Sequence, residues 1–526
     1  MTIHRMKIYK LILLIALCIQ GCGRETEENA DFLHLRLKDD PSTLDPAYIV
    51  DVPGGALAAK IYNGLVRFDR DGKVVPDLAS RWDVSDNGRV YRFFLRDGVL
   101  FTNGRELEAE DVVYSLRRLL DPAVNSPRSW LLEAVQGAPA FMNDLSEMLP
   151  GIRAAGQGVV EIELERPVSL FLDFLAMPNT SIIPREEVER SPEAFSDHPC
   201  GTGPFKLSEW RHNNKIILTR NPDYFSGPPR LAGVEYRIIP ETLTAVVEFE
   251  QGNLDIIEVP RAEFKKYSTE LRWKEQIRSR VGLNSYYLGF NCQRAPFNDP
   301  RIRQAFNYAI DREKIIKVIL EGRAVPAPGP VPPGLLPIAA GGGYEYNPGK
   351  AKELLSRAGL TIPLKVTFLF KADREVLSIA EVIQDYLKKV GIEVILVQRE
   401  WSSFKEAVND GDFDIFYLSW WGDYPDPENF LYPTFYSANI GPGGNRSRFS
   451  DKEVDEKLRL ASVKTDPEER MRILSEVEAR VVELAPWVFL WHKKEIMICS
   501  ARVEHYRIPL IYNGDKFDAI KISSPR

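Results

Sequence analysis

The sequence predicts an α/β protein of two or three domains, and three observations carry that expectation. Between Leu364 and Leu418 strand-like and helix-like patterns alternate, which argues for a parallel sheet with right-handed crossovers. At 526 residues the chain exceeds the ~250 to 300 residues at which a single hydrophobic core stops growing. Hydrophobic residues make up 44% and charged residues 27%, a balance that suits a globular fold and argues against large-scale disorder.

At the N-terminus, residues 1–21 carry Arg5, Lys7 and Lys10 and no acid, followed by the apolar run Leu11 to Ile19. A run that short cannot cross roughly 30 Å of bilayer core, so it reads as a secretion signal. Without those three bases the formal net charge of −7 becomes three units more negative, which disfavours nucleic-acid or anionic-membrane partners. The signal ends in Ile19-Gln20-Gly21-Cys22, which resembles a bacterial lipobox, with Gln20 as the departure. That resemblance implies lipidation of Cys22; the alternative is a plain signal peptide with a chance cysteine. Residues 22–31 are polar and acidic and read as a lipid-anchored tether.

Cys200, Cys292 and Cys499 remain, enough for one disulfide at most, and they read as buried small hydrophobes. The histidines are scattered and no Cys/His cluster has ligand spacing, so neither a metal nor a cofactor is expected.

Along the chain, Phe32 to Leu37 alternates as a strand, and a helix is expected over Ala56 to Leu65. Asp69-Arg70-Asp71-Gly72 marks a hairpin, Tyr91 to Leu95 a strand, and Ala109 to Leu120 a helix. Asp299 before Pro300, and Asn347 before Pro348, cap two further helices. Leu364 to Phe370 is a strand, Val376 to Leu387 a helix stopped by Gly391, and Ile392 to Val397 the next strand. The Pro/Gly-rich Val325 to Gly343 reads as a surface loop.

Phe413 to Leu418, interrupted only by Asp414, reads as a strand buried on both faces. It runs into Ser419-Trp420-Trp421-Gly422-Asp423-Tyr424-Pro425-Asp426-Pro427. Open α/β sheets bind ligands beyond the carboxyl ends of their strands, which makes this loop a candidate binding wall. The alternative is a capped solvent-facing loop with its tryptophans in the core.

Several fragments appear in one order. They are Pro41 to Pro46, Ile61-Tyr62-Asn63-Gly64-Leu65, Val75 to Trp82, Leu95-Arg96-Asp97-Gly98-Val99, Asn103 to Leu107, and Ala109 to Ser115. Cys200-Gly201-Thr202-Gly203-Pro204-Phe205, Arg220-Asn221-Pro222-Asp223-Tyr224-Phe225, Gln251-Gly252-Asn253-Leu254-Asp255, Phe290-Asn291 and Arg301 to Ala305 follow. Together they resemble the extracellular solute-binding proteins, family 5, of peptide and nickel ABC transporters, over nearly the whole chain after the signal. Cys200 departs from the usual valine.

The resemblance implies a two-lobed periplasmic-binding-protein fold (Venus flytrap, class II-like) with an extra α/β subdomain in the first lobe. Lobe I is expected from residues 32–65, 185–285 and 500–526, its inserted subdomain from 66–184, and lobe II from 286–499. Chain crossings near Ser285 to Leu288 and near Met497 to Arg502 would form the hinge. The implied function is capture of oligo- or dipeptides between the lobes and delivery to an ABC permease and ATPase complex. The protein would work as a monomer, held at the extracytoplasmic or periplasmic face by its anchor.

In peptide binders of this family the aspartate after the aromatic pair anchors the ligand's α-ammonium, and Asp423 holds that position, with Gly422 beside it. Trp401 matches a tryptophan lining a side-chain pocket and Trp420 a cleft aromatic. Trp421 stands where the oligopeptide-binding protein has cysteine, and Arg128 where that protein has tyrosine. The arginines that can serve the ligand carboxylate there match Val408 and Tyr417, leaving Arg374 and then Lys371 as the expected cation. Tyr512 is expected to return to the cleft.

Enzyme signatures are missing: no His-Glu-x-x-His, no Gly-x-Ser-x-Gly and no nucleotide fingerprint. Alternatives are the same fold with an oligosaccharide, opine, metal chelate or haem as cargo, and a secreted hydrolase.

Overall fold

The computed structural model describes residues 31–337, 343–442 and 444–523. The expected signal at 1–21, Cys22 and all but the last residue of the tether lie outside them.

One twelve-stranded sheet runs through the molecule. Its strands are β1 (Phe32–Leu37), β2 (Phe205–Arg211), β3 (Lys215–Arg220), β4 (Gly233–Ile238), β5 (Ile256–Glu258) and β6 (Ile277–Val281). They continue with β7 (Asn284–Phe290), β8 (Ala324–Pro326), β9 (Leu364–Lys371), β10 (Ile392–Arg399), β11 (Ile415–Trp421) and β12 (Trp487–Cys499). The spatial order is β10-β9-β11-β7-β12-β5-β1-β4-β3-β2, with β6 and β8 also paired to β12. β9 is parallel to β10 and β11, as the strand-helix alternation requires, and β1 is parallel to β4 and β5. The architecture is the mixed α/β, two-lobed one.

β12 changes partners along its length. Its first half pairs with β7, Tyr286 to Gly289 against Trp491 to Trp487, and its second half with β6, Ile277 to Val281 against Ile498 to Lys494. The change of partner falls at His492–Lys493 and at Gly282–Leu283, N-terminal to both expected crossings. The chain therefore changes pairing partner inside a strand. His492 is fully buried there, its Nδ1 2.7 Å from the Asn284 carbonyl oxygen and 3.2 Å from Ser285 Oγ.

Both faces of the lobe II sheet are covered, which explains its continuous apolar strands. Ile379 and Ile383 of the Arg374–Lys388 helix pack with Phe368 and Tyr417 on one face. Phe404, Phe430 and Leu474 cover Phe416 on the other. A separate antiparallel sheet, made of Ala79–Ser85, Val90–Leu95, Val159–Glu163 and Ile152–Ala154, lies within 66–184.

The quoted motifs are knots of this fold. Arg118 donates to both carboxylate oxygens of Asp45, at 2.8 and 2.7 Å. Asn63 donates to Asp77 at 2.7 Å and accepts from Thr202 at 3.0 Å. Asp255 gathers the His34 N–H at 2.8 Å, Ser500 Oγ at 2.8 Å and two Arg502 bonds at 2.6 and 2.7 Å. Buried polar groups satisfied in this way fix where the crossing segments meet.

Two elements differ from expectation. The first helix is Val52–Ile61 and not Ala56–Leu65, because Asp51 caps it, accepting from the Gly54 N–H at 2.7 Å, with Pro53 in the first turn. In the Val325 to Gly343 loop, Ala327, Pro330 and Val331 are buried. Prolines bring no N–H to satisfy, so such a stretch is less costly to bury than its composition suggests.

Candidate ligand-binding cleft

β9, β10 and β11 end together: Lys371 lies opposite Arg399, and Leu369 opposite Phe416. Lys371 and Arg374 after β9, Trp401 after β10, and Trp420 to Asp423 around the end of β11 therefore share one edge. Antiparallel pairing of Asn284 with Trp421 puts that edge beside the point where β12 changes partners. The Gly422 N–H donates to the Leu283 carbonyl at 2.9 Å, and a Cβ at Gly422 would lie 2.9 Å from the Phe430 ring. Glycine lets the chain turn tightly there and deliver Asp423.

Strand alternation splits the tryptophan pair between faces. Trp420 turns toward the core and its Nε1–H donates to the Asn429 carbonyl at 2.8 Å. Trp421 is 53% exposed and meets Tyr286 edge-on, with ring centroids 6.4 Å apart. Trp401 is 46% exposed, stacked beside Phe404 at 5.8 Å. Lys371 is engaged with Asp373 at 3.7 Å. Arg374, exposed at the first turn of its helix, makes no ion pair among the described residues. Its neighbour Glu375 takes Lys493 at 2.7 Å and Arg261 at 3.2 Å.

The opposite wall comes from two distant segments. Tyr512 packs on Gly55, where a Cβ would lie 2.4 Å from the ring, so the tyrosine rests on bare helix backbone. Arg128 precedes the short helix Ser129–Leu132. Trp130 meets Phe174 edge-on at 5.5 Å, and Phe174 meets Tyr424 at 5.9 Å, an aromatic chain from the inserted stretch to the residue after Asp423.

Water reaches the Asp423 side chain, yet the walls take enough of its hydration to raise its carboxyl pKa, and the Arg128 guanidinium opposes that rise. Burial pushes the Tyr512 hydroxyl up to about 12, against Arg128 and with help from Asp423 and Asp51. Asp423, Arg128 and Tyr512 thus lie within electrostatic reach of one another. A carboxylate partly stripped of water, with no ion pair among the described residues, suits an incoming ammonium.

Sequence reasoning missed what holds this loop. Arg470 donates to both oxygens of Asp426 at 2.8 Å each and to Glu428 at 2.8 Å, all three buried. Asp173 faces this group from the helix Phe171–Leu175. Asp426 stands in the loop and Glu428 opens the helix after it, but nothing in the sequence pairs them with an arginine 44 and 42 positions away.

A sizeable cavity lies elsewhere. About 1230 Å³ lies behind the proline-rich loop, lined by Tyr308, Arg312, Pro333, Tyr344 and Glu478, and none of the candidate residues borders it. A smaller cavity, about 270 Å³, abuts the anchor loop at Trp130, Phe174 and Tyr424. Among the described residues no His, Cys, Asp and Glu gather as a metal site.

The family profile described as "Bacterial extracellular solute-binding proteins, family 5 Middle" matches residues 73–442. Heme-binding protein A of Haemophilus influenzae is 30% identical over 504 residues, covering 92% of this chain and 90% of that protein. Di/tripeptide-binding protein 2 of Pseudomonas aeruginosa is 30% identical over 509 residues, covering 92% and 93%. Among solved structures, the unliganded open form of the periplasmic murein tripeptide binding protein MppA superposes with a TM-score of 0.84 at 27% identity, covering 94% of this chain and 97% of that one.

Proposed function

Because the chain belongs to the family 5 bacterial extracellular solute-binding proteins, we propose that it is the peptide-capturing component of an ABC importer, a receptor and not an enzyme. It takes short peptides between its lobes outside the cytoplasm and presents the closed form to a permease and its ATPase. In this reading Cys22 carries the lipid anchor and the protein acts as a monomer.

One observation carries the cargo assignment. Asp423 stands in the cleft, partly dehydrated and without an ion pair among the described residues, at the carboxyl end of a strand. An ammonium is the natural partner of such a carboxylate, and extended peptides offer one together with main-chain donors and acceptors. Trp420, Trp421 and Gly422 form the loop around it, Trp401 lines a side-chain pocket, and Tyr512 and Arg128 face it. Arg374, with Lys371 second, meets the ligand carboxylate. The ligand touches both lobes, so binding shifts the population toward closure.

Heme-binding protein A among the relatives supports a second cargo on the same fold. The exposed tryptophans suit flat or sugar ligands as well as peptides, so Asp423 discriminates. Calorimetry with a tripeptide is expected to lose binding in Asp423→Ala and to lose it when the tripeptide is N-acetylated. Unchanged affinity in both arms rejects the amine anchor, and native mass spectrometry of the co-purified ligand then names the cargo class.

A further inference from the structure

The arginine opposite Asp423 is an odd neighbour for an ammonium site. Arg128 makes no ion pair to a carboxylate among the described residues, and its Nε is buried without a hydrogen-bond partner. Its backbone is engaged, the N–H donating to Ser126 Oγ at 3.1 Å and the carbonyl accepting from the Leu131 N–H at 3.1 Å. Asp51, which shares the Tyr512 neighbourhood, is already committed to the Gly54 N–H at 2.7 Å and the Ser42 N–H at 3.2 Å. Arg128 is also held in place: Trp130, two residues on, is locked through Phe174 to Tyr424, which follows Asp423. A cation fixed across from the amine anchor repels the very group that Asp423 attracts, unless the ligand itself brings a compensating anion.

We propose that Arg128 is the receptor for an anionic side chain carried beside the ligand's free amine, so that the cleft selects peptides whose first residue is aspartate or glutamate. This rests on the amine-anchor reading and extends it from any peptide to a peptide with an acidic amine end. The orphaned Nε–H and the guanidinium fork then gain a carboxylate partner, while Asp423 takes the ammonium. Tyr512, packed on Gly55 and within electrostatic reach of both charges, has a hydroxyl to offer either.

The test is a calorimetric comparison of Asp-Ala-Ala, Asn-Ala-Ala and Lys-Ala-Ala on the intact protein and on Arg128→Gln and Arg128→Lys. Asn-Ala-Ala matches the first peptide in shape and lacks only the charge. The intact protein is expected to rank them in the order given, with Asp over Asn by roughly tenfold to a hundredfold, the size of a charge-assisted hydrogen bond. Arg128→Gln should erase that preference and relieve the penalty on the lysine peptide, whereas Arg128→Lys should keep part of it. Equal affinity for the Asp and Asn peptides in the intact protein overturns the proposal. So does a preference that survives in Arg128→Gln, or a uniform tightening of all three peptides in that variant, which would make Arg128 only a competitor for Asp423. An N-acetylated Asp-Ala-Ala control separates the two layers: loss of binding on acetylation upholds the amine anchor whatever the Asp/Asn result.

Discussion

Arg470 grips Asp426 with two parallel hydrogen bonds of 2.8 Å, joining the Pro467–Leu484 helix to the loop that carries Asp423 three residues earlier. Its second fork position reaches Glu428 at 2.8 Å, and all three groups are buried. Helix and loop are thereby fixed against each other, which gives the cleft carboxylate a defined height above the sheet.

Removing only the cation leaves two carboxylates buried and uncompensated. Arg470→Met is expected to destabilise the protein by about 3–5 kcal/mol, read as a lowered urea midpoint. Adding Asp426→Asn and Glu428→Gln to Arg470→Met should recover much of that loss, since neutral isosteres no longer need the guanidinium. A triple variant no more stable than the single one would show that packing of the arginine stem, not charge burial, is what holds the loop.

Asp173 gives the same region a pH dependence. Its carboxyl pKa is raised to about 8, first by burial and then by Asp426 and Glu428, with Arg470 opposing the rise, while Tyr424 lies in the same field. A folded-state pKa above the unfolded value means that its contribution is full at low pH and is lost as pH rises through about 8. Burial pushes Glu478 and Glu495 to about 7, so they act with the same sign. His492 has the opposite sign: burial lowers it to about 4, and its contribution is lost as pH falls through that value. Thermal stability is therefore expected to fall as pH rises from the ordinary carboxylate range near ~4 through about 8, and to level off above it. Asp173→Asn should be close to the parent at pH 5 and more stable than it at pH 9; equal pH profiles would remove Asp173 from the account.

Much of this fold was legible because its determinants are local. Asp299 and Asn347 cap their helices as read, accepting from the N–H groups of Arg301 and Lys350, and Gly391 leaves its helix at φ 89°. The family motifs were legible too, but for a different reason than function: Asp45, Asn63, Asp77 and Asp255 are tied into the scaffold. The cleft was only half legible. Asp423 and the tryptophans mark a recognisable strand end, whereas Arg128 stands in a stretch without periodicity and comes within electrostatic reach of Asp423 only through tertiary packing. Arg470 and Asp173 carry no sequence signal at all, because what matters is a neighbour contributed from another part of the chain.

Gly203 and Gly227 separate two uses of glycine. A Cβ on Gly203 would lie 2.4 Å from both the Ile61 carbonyl carbon and the Lys60 carbonyl oxygen, backbone that cannot give way. Gly227 has a φ of 93° and open space around it. Gly203→Ala is expected to lower the melting temperature severely or to prevent accumulation of soluble protein. Gly227→Ala should cost only about 1 kcal/mol of backbone strain. Comparable losses in the two variants would mean that the Gly-Thr-Gly segment is not packed on the end of the Val52–Ile61 helix.

Peptide affinity should itself titrate at both ends. Capture by Asp423 requires its ionised form, and because dehydration raises its pKa, with Arg128 opposing, binding is expected to weaken on acidification while an exposed aspartate at ~3.9 would still be charged. At the other end a peptide α-ammonium loses its proton near ~8, and affinity falls again as the charge disappears. The profile of log Kd against pH is therefore a plateau with two shoulders, the acidic one belonging to the protein and the basic one to the ligand. Asp423→Asn should remove the acidic shoulder and leave weak binding across the range. A peptide whose α-amine is replaced by hydrogen should remove the basic one. If the acidic shoulder persists in Asp423→Asn, another carboxylate carries the ammonium, and the assignment of the loop after β11 falls with it.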